Sequence, residues 1–193
     1  MFIHSFLSLF YSTHMLKKLI ASASAAAVAL STLTSGLVMG APVVTDPELI
    51  DAIAWGYDNG LTSYSDANAF MPYNNLTREQ FAKFASEFAS SQLDVAVDTA
   101  KDCSFSDESS FDSSLAASIE LACQQGLMMG SNGSFMPKQL VTRGQVATVV
   151  SRMLGEIDAM SSEQAHFDYL NSIGVMKVAN LNSAMTRGDV MLV

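Results

Sequence analysis

The sequence contains few basic residues: 10 Lys and Arg stand against 19 Asp and Glu, for a formal net charge of −9. Two of the cations, Lys17 and Lys18, are the only charged residues among the first 40. Without its first 40 residues, the chain would therefore have a formal net charge of −11. Nucleic acids and anionic membranes attract proteins through clustered Lys and Arg. We expect neither of them as a partner.

Residues suited to catalysis or metal binding are also scarce. The chain has three His residues, and His166 is the only one after residue 40. A metal site needs several ligands in a suitable spacing, and catalysis needs a nucleophile or an acid–base pair held together. No such set remains once the repeat described below is accounted for. We expect no enzymatic activity, no metal site and no cofactor.

The N-terminal segment has the composition of a secretory signal peptide. Two lysines precede a run rich in Ala, Leu and Val at residues 19–33, and small residues follow near Gly40. An uncleaved membrane anchor is the alternative, but this run is shorter than the ~20 residues that a spanning helix needs. We predict a signal peptide at residues 15–40, with translation starting at Met15 and residues 1–14 as an upstream extension.

The chain has only two cysteines, Cys103 and Cys123. Export would deliver both into an oxidising compartment, where an even number of cysteines is typical of disulfide bonds. Closing a loop of this size would stabilise the fold by roughly 3 kcal/mol. The alternative is a pair of reduced, buried thiols.

An internal repeat fills the rest of the chain. Residues 49–61 align without gaps on residues 115–127, and a Phe-Met-Pro element follows at Phe70 and at Phe135. Each copy then has a Thr-Arg pair, and a third, shorter copy repeats this pair without the Phe-Met-Pro element. The pairs are Thr77-Arg78, Thr142-Arg143 and Thr186-Arg187. The repeat divides the chain into a first unit at 41–98, a second at 99–158 and a shortened third at 159–193.

Each unit is predicted to be a helix-loop-helix. Apolar residues recur at helical spacing in the first half, which ends at a glycine suited to a helix C-terminus. The second helix begins at the Thr of the Thr-Arg pair, where Thr77 with Gln80 and Thr142 with Gln145 match the capping-box pattern. Apolar stripes on the second helices predict a shared core. They are Phe81, Phe84 and Phe88 in the first unit, and Val146, Val149, Val150 and Met153 in the second. We predict an all-α fold.

The second unit resembles the S-layer homology domain. The resemblance is carried by Phe105-Ser106-Asp107, by Gly126-Leu127-Met128-Met129-Gly130, by Phe135-Met136-Pro137 and by Thr142-Arg143-Gly144-Gln145. It implies three repeats in a pseudo-three-fold arrangement around a central three-helix bundle, with grooves between neighbouring repeats. It also implies that these grooves bind a cell-wall polysaccharide, often pyruvylated, and so hold an exported protein at the cell surface.

The resemblance assigns a role to the three arginines. The family's Thr-Arg-Ala-Glu motif places its Arg in the grooves, which implies glycan contacts for Arg78, Arg143 and Arg187. A planar guanidinium can pair with a carboxylate through two hydrogen bonds. The sequence departs from the motif because Glu79, Gly144 and Gly188 replace the Ala. The alternative is that the arginines lie exposed in the first helical turns.

Trp55 is a further candidate, either as a platform on which a sugar ring stacks or as a packing residue. We therefore expect noncovalent attachment to a cell-wall polysaccharide. The alternative is a structural envelope protein whose repeats contact other envelope proteins and bind no glycan.

Overall fold

The computed structural model describes residues 42–155, 161–177 and 180–193. The predicted signal peptide and the upstream extension lie outside the described residues. The fold below is that of the compact unit at residues 44–193. Within the described ranges, no helix is both long and apolar enough to cross a membrane.

The described residues form α-helices and no β-strand, which confirms the all-α prediction. The helices are α1 (Pro47–Asp58), α2 (Ala67–Phe70), α3 (Arg78–Gln92), α4 (Ala116–Gln124), α5 (Arg143–Leu154), α6 (Glu163–Ser172) and α7 (Arg187–Met191), with a 3-10 turn at Glu108–Ser110. Six of the seven α-helices are the expected pairs. The exception is α2, a single turn in the first loop that begins at the capping side chain of Asp66.

Local signals set the ends of the helices. Thr77 and Thr142 form the predicted capping boxes with Gln80 and Gln145, and the third unit forms one between Thr186 and Asp189. These reciprocal bonds satisfy N–H groups that have no partner within the helix. Past the C-terminal end of α4, Gly126 takes a φ of +74°, a left-handed conformation that glycine adopts without a steric penalty.

The second helix of each unit packs against the first helix of the next unit. Thus α3 lies against α4, α5 lies against α6, and the short α7 lies against α1. A buried polar pair reinforces the second of these contacts, because His166 Nδ1 lies 3.0 Å from Ser151 Oγ and both residues are fully buried. Each unit therefore buries part of its apolar surface against a neighbour.

Backbone hydrogen bonds join the ends of the three loops in a closed circuit. The N–H of Leu76 donates to Met185, that of Met185 to Val141, and that of Val141 back to Leu76, at 2.9–3.0 Å. All three side chains are buried. The circuit contains one residue from the equivalent position of each unit.

The predicted shared core is partly confirmed. Phe81, Val146 and Val149 are buried in one cluster around the loop-end circuit. The other members of the two stripes are only partly buried: Phe84, Phe88, Val150 and Met153. Phe88 instead lies beside Phe84 and Trp55, with ring centroids 6.2 and 6.3 Å away, because the helical stripe extends beyond the surface that the neighbouring helices cover.

The disulfide prediction is confirmed: Cys103 is bonded to Cys123, with Cα atoms 5.9 Å apart. Cys123 is buried in α4, and Cys103 lies in the non-helical connector ahead of the 3-10 turn. The bond ties this connector to α4.

Candidate functional site

A cleft of about 230 Å³ lies where the three units meet. The first unit contributes Arg78, and the third contributes Ser161 and Glu163. The second unit supplies the rest of the lining: Leu127, Met128, Met129, Gln145, Thr148, Val149 and Arg152. The walls thus combine charged groups, hydroxyls and an apolar floor, a mixture typical of small-molecule and sugar sites.

Arg78 is buried, with only 6% of its surface exposed. Its Nε donates to the Phe135 carbonyl at 2.9 Å, Nη1 to Gln145 Oε1 at 3.3 Å, and Nη2 to the Met129 carbonyl at 3.4 Å. The guanidinium also lies over the Phe135 ring, 5.0 Å from its centroid. Burial lowers the pKa of Arg78, and the charge of Asp107 acts in the opposite direction. All three guanidinium nitrogens of Arg78 therefore donate hydrogen bonds to the second unit.

Asp107 positions the segment that receives Arg78. Its two carboxylate oxygens accept the backbone N–H groups of Phe135 and Met136, both at 2.8 Å. Met136 has a φ of +60°, which is uncommon for a residue other than glycine, and these bonds hold it there. Burial raises the pKa of Asp107, but the backbone hydrogen bonds and the Arg78 charge outweigh that effect, so this pKa lies below its ordinary value.

Arg187 is the counterpart of Arg78 at the contact between the third and first units. Its guanidinium carbon lies 4.5 Å from the Phe70 ring centroid and 5.4 Å from that of Tyr64. Phe70 is the counterpart of Phe135, so the arrangement of cation over ring occurs twice. Arg187 is partly exposed, and Tyr64 is 38% exposed. A partly solvated cation on an aromatic base remains accessible to a ligand.

Arg143 lies at the contact between the second and third units. Its side chain is partly exposed, but its Nε is buried without a hydrogen-bond partner in the described part of the chain. The position that corresponds to Phe135 in the third unit is residue 179, which lies outside the described residues. Among the described residues, Arg143 Nε thus has no acceptor, whereas Arg78 Nε donates to the Phe135 carbonyl.

The first-turn backbone of each second helix contacts the next loop along the ring. The N–H groups of Arg78, Arg143 and Arg187 donate to the carbonyls of Gln139, Ser183 and Asn74 at 2.8–2.9 Å. These N–H groups have no partner within a helix, so the neighbouring unit satisfies them. The Thr-Arg pair therefore lies at a contact between units in all three copies.

Trp55 does not line the cleft. It lies on α1, with 43% of its surface exposed and its ring beside Phe88 of α3. The structure brings Arg78 to the cleft, and it places Arg187 and Trp55 elsewhere.

Several cleft residues were not expected from the sequence: Met129, Gln145, Thr148, Arg152 and Glu163. Gln145 was recognised only as a cap, although its side chain also accepts a hydrogen bond from Arg78. The Phe-Ser-Asp signature was a usable signal for Asp107, since a carboxylate ahead of a turn often accepts backbone N–H groups. Nothing local marks Arg152 or Glu163.

Helix-loop-helix units with a capped Thr-Arg pair at each contact between units define a repeat protein of interlocked helical hairpins. Residues 104–147 match the family model described as S-layer homology domain. The chain therefore carries an S-layer homology domain, located in the second unit. Such domains bind cell-wall polymers in general, and this one implies a protein associated with the cell surface or envelope.

One curated relative is an endoglucanase of Bacillus sp. (strain KSM-635), which is 27% identical over 143 residues. The alignment covers 67% of this chain but only 14% of the relative. The similarity thus concerns a small part of that protein.

Proposed function

We propose that this protein is exported and that its three units bind a cell-wall polysaccharide noncovalently, as a module without catalytic activity. The proposal is carried by one observation above all: a Thr-Arg pair lies at each of the three contacts between units, in a chain with an S-layer homology domain. A pseudo-three-fold ring with α3, α5 and α7 at its centre is part of the proposal. The closed circuit of backbone hydrogen bonds supports it.

Among the three arginines, Arg187 and Arg143 are the better ligand contacts. Arg187 is partly exposed on its aromatic base, and Arg143 has an uncommitted buried Nε within the described residues. Arg78 acts mainly as a brace, since all of its nitrogens contact the second unit. Arg78 also lines the cleft, next to Gln145.

A structural role without glycan binding is the second candidate. The burial of Arg78 favours it, because an arginine held by three protein acceptors strengthens a contact between units without any ligand. In that case the exposed aromatic residues, including Trp55 and Tyr73, would contact other envelope proteins.

The absence of catalysis is also a proposal. Ser151 and His166 are hydrogen-bonded like a nucleophile and its base, but both have 0% exposure. A substrate could not reach this pair without separating α5 from α6. The pair therefore supports packing rather than chemistry.

The decisive experiment is co-sedimentation of the protein with purified Bacillus sacculi, before and after extraction of the wall polysaccharide. We expect binding that is lost with the polysaccharide. Arg187→Ala should weaken it about ten- to a hundred-fold, because charge-assisted hydrogen bonds of roughly 1.5–3 kcal/mol are removed. Lys83→Ala is the matched control, since Lys83 is an exposed cation on the flank of α3. Equal binding to extracted and intact sacculi would favour the structural role.

A further inference from the structure

A carboxylate lies against the first turn of α5, where the residue is Gly144. A β-carbon at Gly144 would overlap Glu163 Oε2 and lie 2.8 Å from Glu163 Cδ. The glycine therefore makes room for Glu163, which lines the cleft with Arg78 and Arg152. Gly144 is one of the positions at which the sequence departs from the Thr-Arg-Ala-Glu motif.

The corresponding positions of the other units are filled differently. In the first unit Glu79 is buried. Its carboxylate accepts hydrogen bonds from Lys138 Nζ at 2.6 Å and from the backbone N–H of Asp112 at 3.1 Å. In the third unit Gly188 faces Pro72 and Leu49. Glu163, by contrast, has no side-chain hydrogen bond or ion pair to any residue that the structure describes, and it is exposed. Its oxygens are available to donors in the cleft.

Among the described residues, the cleft lining holds charges of both signs. Arg78 and Arg152 are the cations of the lining and Glu163 is its anion, while Asp107, which does not line the cleft, acts on Arg78 through its charge. Both arginines also use donors within the protein, since Arg152 Nη1 donates to the Leu127 carbonyl at 2.9 Å. The cations of the cleft therefore have donors committed to the protein, whereas Glu163 accepts no hydrogen bond from a described residue. The chain as a whole carries −9, which repels polyanions at long range.

We infer that this cleft takes an uncharged segment of polysaccharide, with Glu163 accepting sugar hydroxyl groups and disfavouring acidic substituents. The inference rests on the proposed function and specifies its ligand class. Carboxylates are strong acceptors of O–H donors, and the hydroxyl of Thr148 and the amide of Gln145 supply further polar contacts beside the apolar Met128 and Val149. A ligand carboxylate would instead meet Glu163, and like charges brought together without solvent oppose binding.

The test uses one wall polysaccharide in two forms. The polymer is purified from Bacillus sacculi that carry acidic groups, and half of it is amidated with a carbodiimide and an amine so that its carboxylates become neutral. Binding of the full chain to both forms is measured at one ionic strength, for the parent and for Glu163→Gln. Asp168→Asn is the matched control, because Asp168 is an exposed acid on the same helix that does not line the cleft.

We expect the parent to bind the amidated polymer at least as tightly as the acidic one. Glu163→Gln should bind the acidic polymer about tenfold more tightly than the parent, and Asp168→Asn should not. Gly144→Ala, which displaces the carboxylate while keeping it in the chain, should change binding in the same direction as Glu163→Gln.

Two results would overturn the inference while leaving the proposed function intact. One is a parent that prefers the acidic polymer, with no gain in Glu163→Gln. The other is an equal gain in Asp168→Asn, which would assign the effect to total charge. If neither form of the polymer binds, the proposed function itself fails, and the ligand class fails with it.

Discussion

At the scale of single residues, Arg78 occupies a motif position associated with ligand contact but also joins two units. The guanidinium of Arg78 donates its hydrogen bonds to Phe135, Met129 and Gln145 of the next unit. Burying a guanidinium is costly unless its donors are paired. The pairing shows that this position stabilises a contact between units.

Arg78→Ala should therefore lower the free energy of unfolding by about 2–4 kcal/mol, since buried carbonyls lose their partner and the contact with the Phe135 ring is lost. Arg187→Ala, at the equivalent and more exposed position, should cost about 1 kcal/mol. Urea unfolding followed by circular dichroism measures both. Equal and small losses would mean that the contacts of Arg78 contribute no more than a solvated surface arginine does.

Asp107 should make stability depend on pH in the acidic range. Its pKa is lower in the folded state than in the unfolded chain, so the carboxylate stabilises the fold above the unfolded value of about 3.9. That stabilisation is lost as the pH falls through the lower, folded pKa. Asp107→Asn should be less stable than the parent at pH 7 and should lose less stability on acidification. The exposed Asp51→Asn is the control, and an unchanged acid limb in Asp107→Asn would contradict the assignment.

At the scale of the elements, capping defines where the second helices begin. The Thr142 side chain accepts the N–H of Gln145 at 3.3 Å, and Gln145 Oε1 accepts the N–H of Thr142 at 3.4 Å. The second helices thus begin at the capping Thr of each unit. The cap and the first turn also hold Arg143 in register with the third unit's loop.

Thr142→Ala should cost about 1 kcal/mol of stability, because a first-turn N–H of α5 loses its acceptor. Thr142→Ser keeps the hydroxyl and should restore most of that loss. Thermal unfolding of the three proteins gives the comparison. A serine variant as unstable as the alanine variant would instead assign the effect to the packing of the threonine methyl group.

At the scale of the whole molecule, the three units depend on contacts with one another. Each second helix packs on the first helix of the next unit, and the loop ends share one circuit of hydrogen bonds. A unit removed from its neighbours would expose apolar faces on both of its helices. We therefore expect residues 44–193 to unfold in a single cooperative transition.

The single tryptophan makes this expectation testable. Trp55 lies in the first unit, whereas Leu170 is fully buried in the third. Leu170→Ala should cost about 2–5 kcal/mol through the cavity that it leaves. Trp55 fluorescence and circular dichroism should shift together, because both report one transition. A fluorescence transition that stays at the parent's midpoint would reveal independent units.

The sequence by itself determined six of the described helices, the starts of the second helices and the partners of the disulfide. Helix caps involve residues only a few positions apart: a Thr with its Gln or Asp partner, or a terminal glycine. They can therefore be predicted from the local sequence. The two cysteines left only one possible intramolecular pair. The sequence did not indicate α2, whose single turn depends on one Asp66 cap rather than on an apolar period.

Only the tertiary structure decided what the arginines contact. The partners of Arg78 lie 51 to 67 residues away along the chain, and no local pattern states which carbonyls will come within reach. The approach of Glu163 to Gly144 likewise follows from the packing of α6 on α5. Three similar motifs thus give three different surroundings, because each arginine meets a different neighbouring loop.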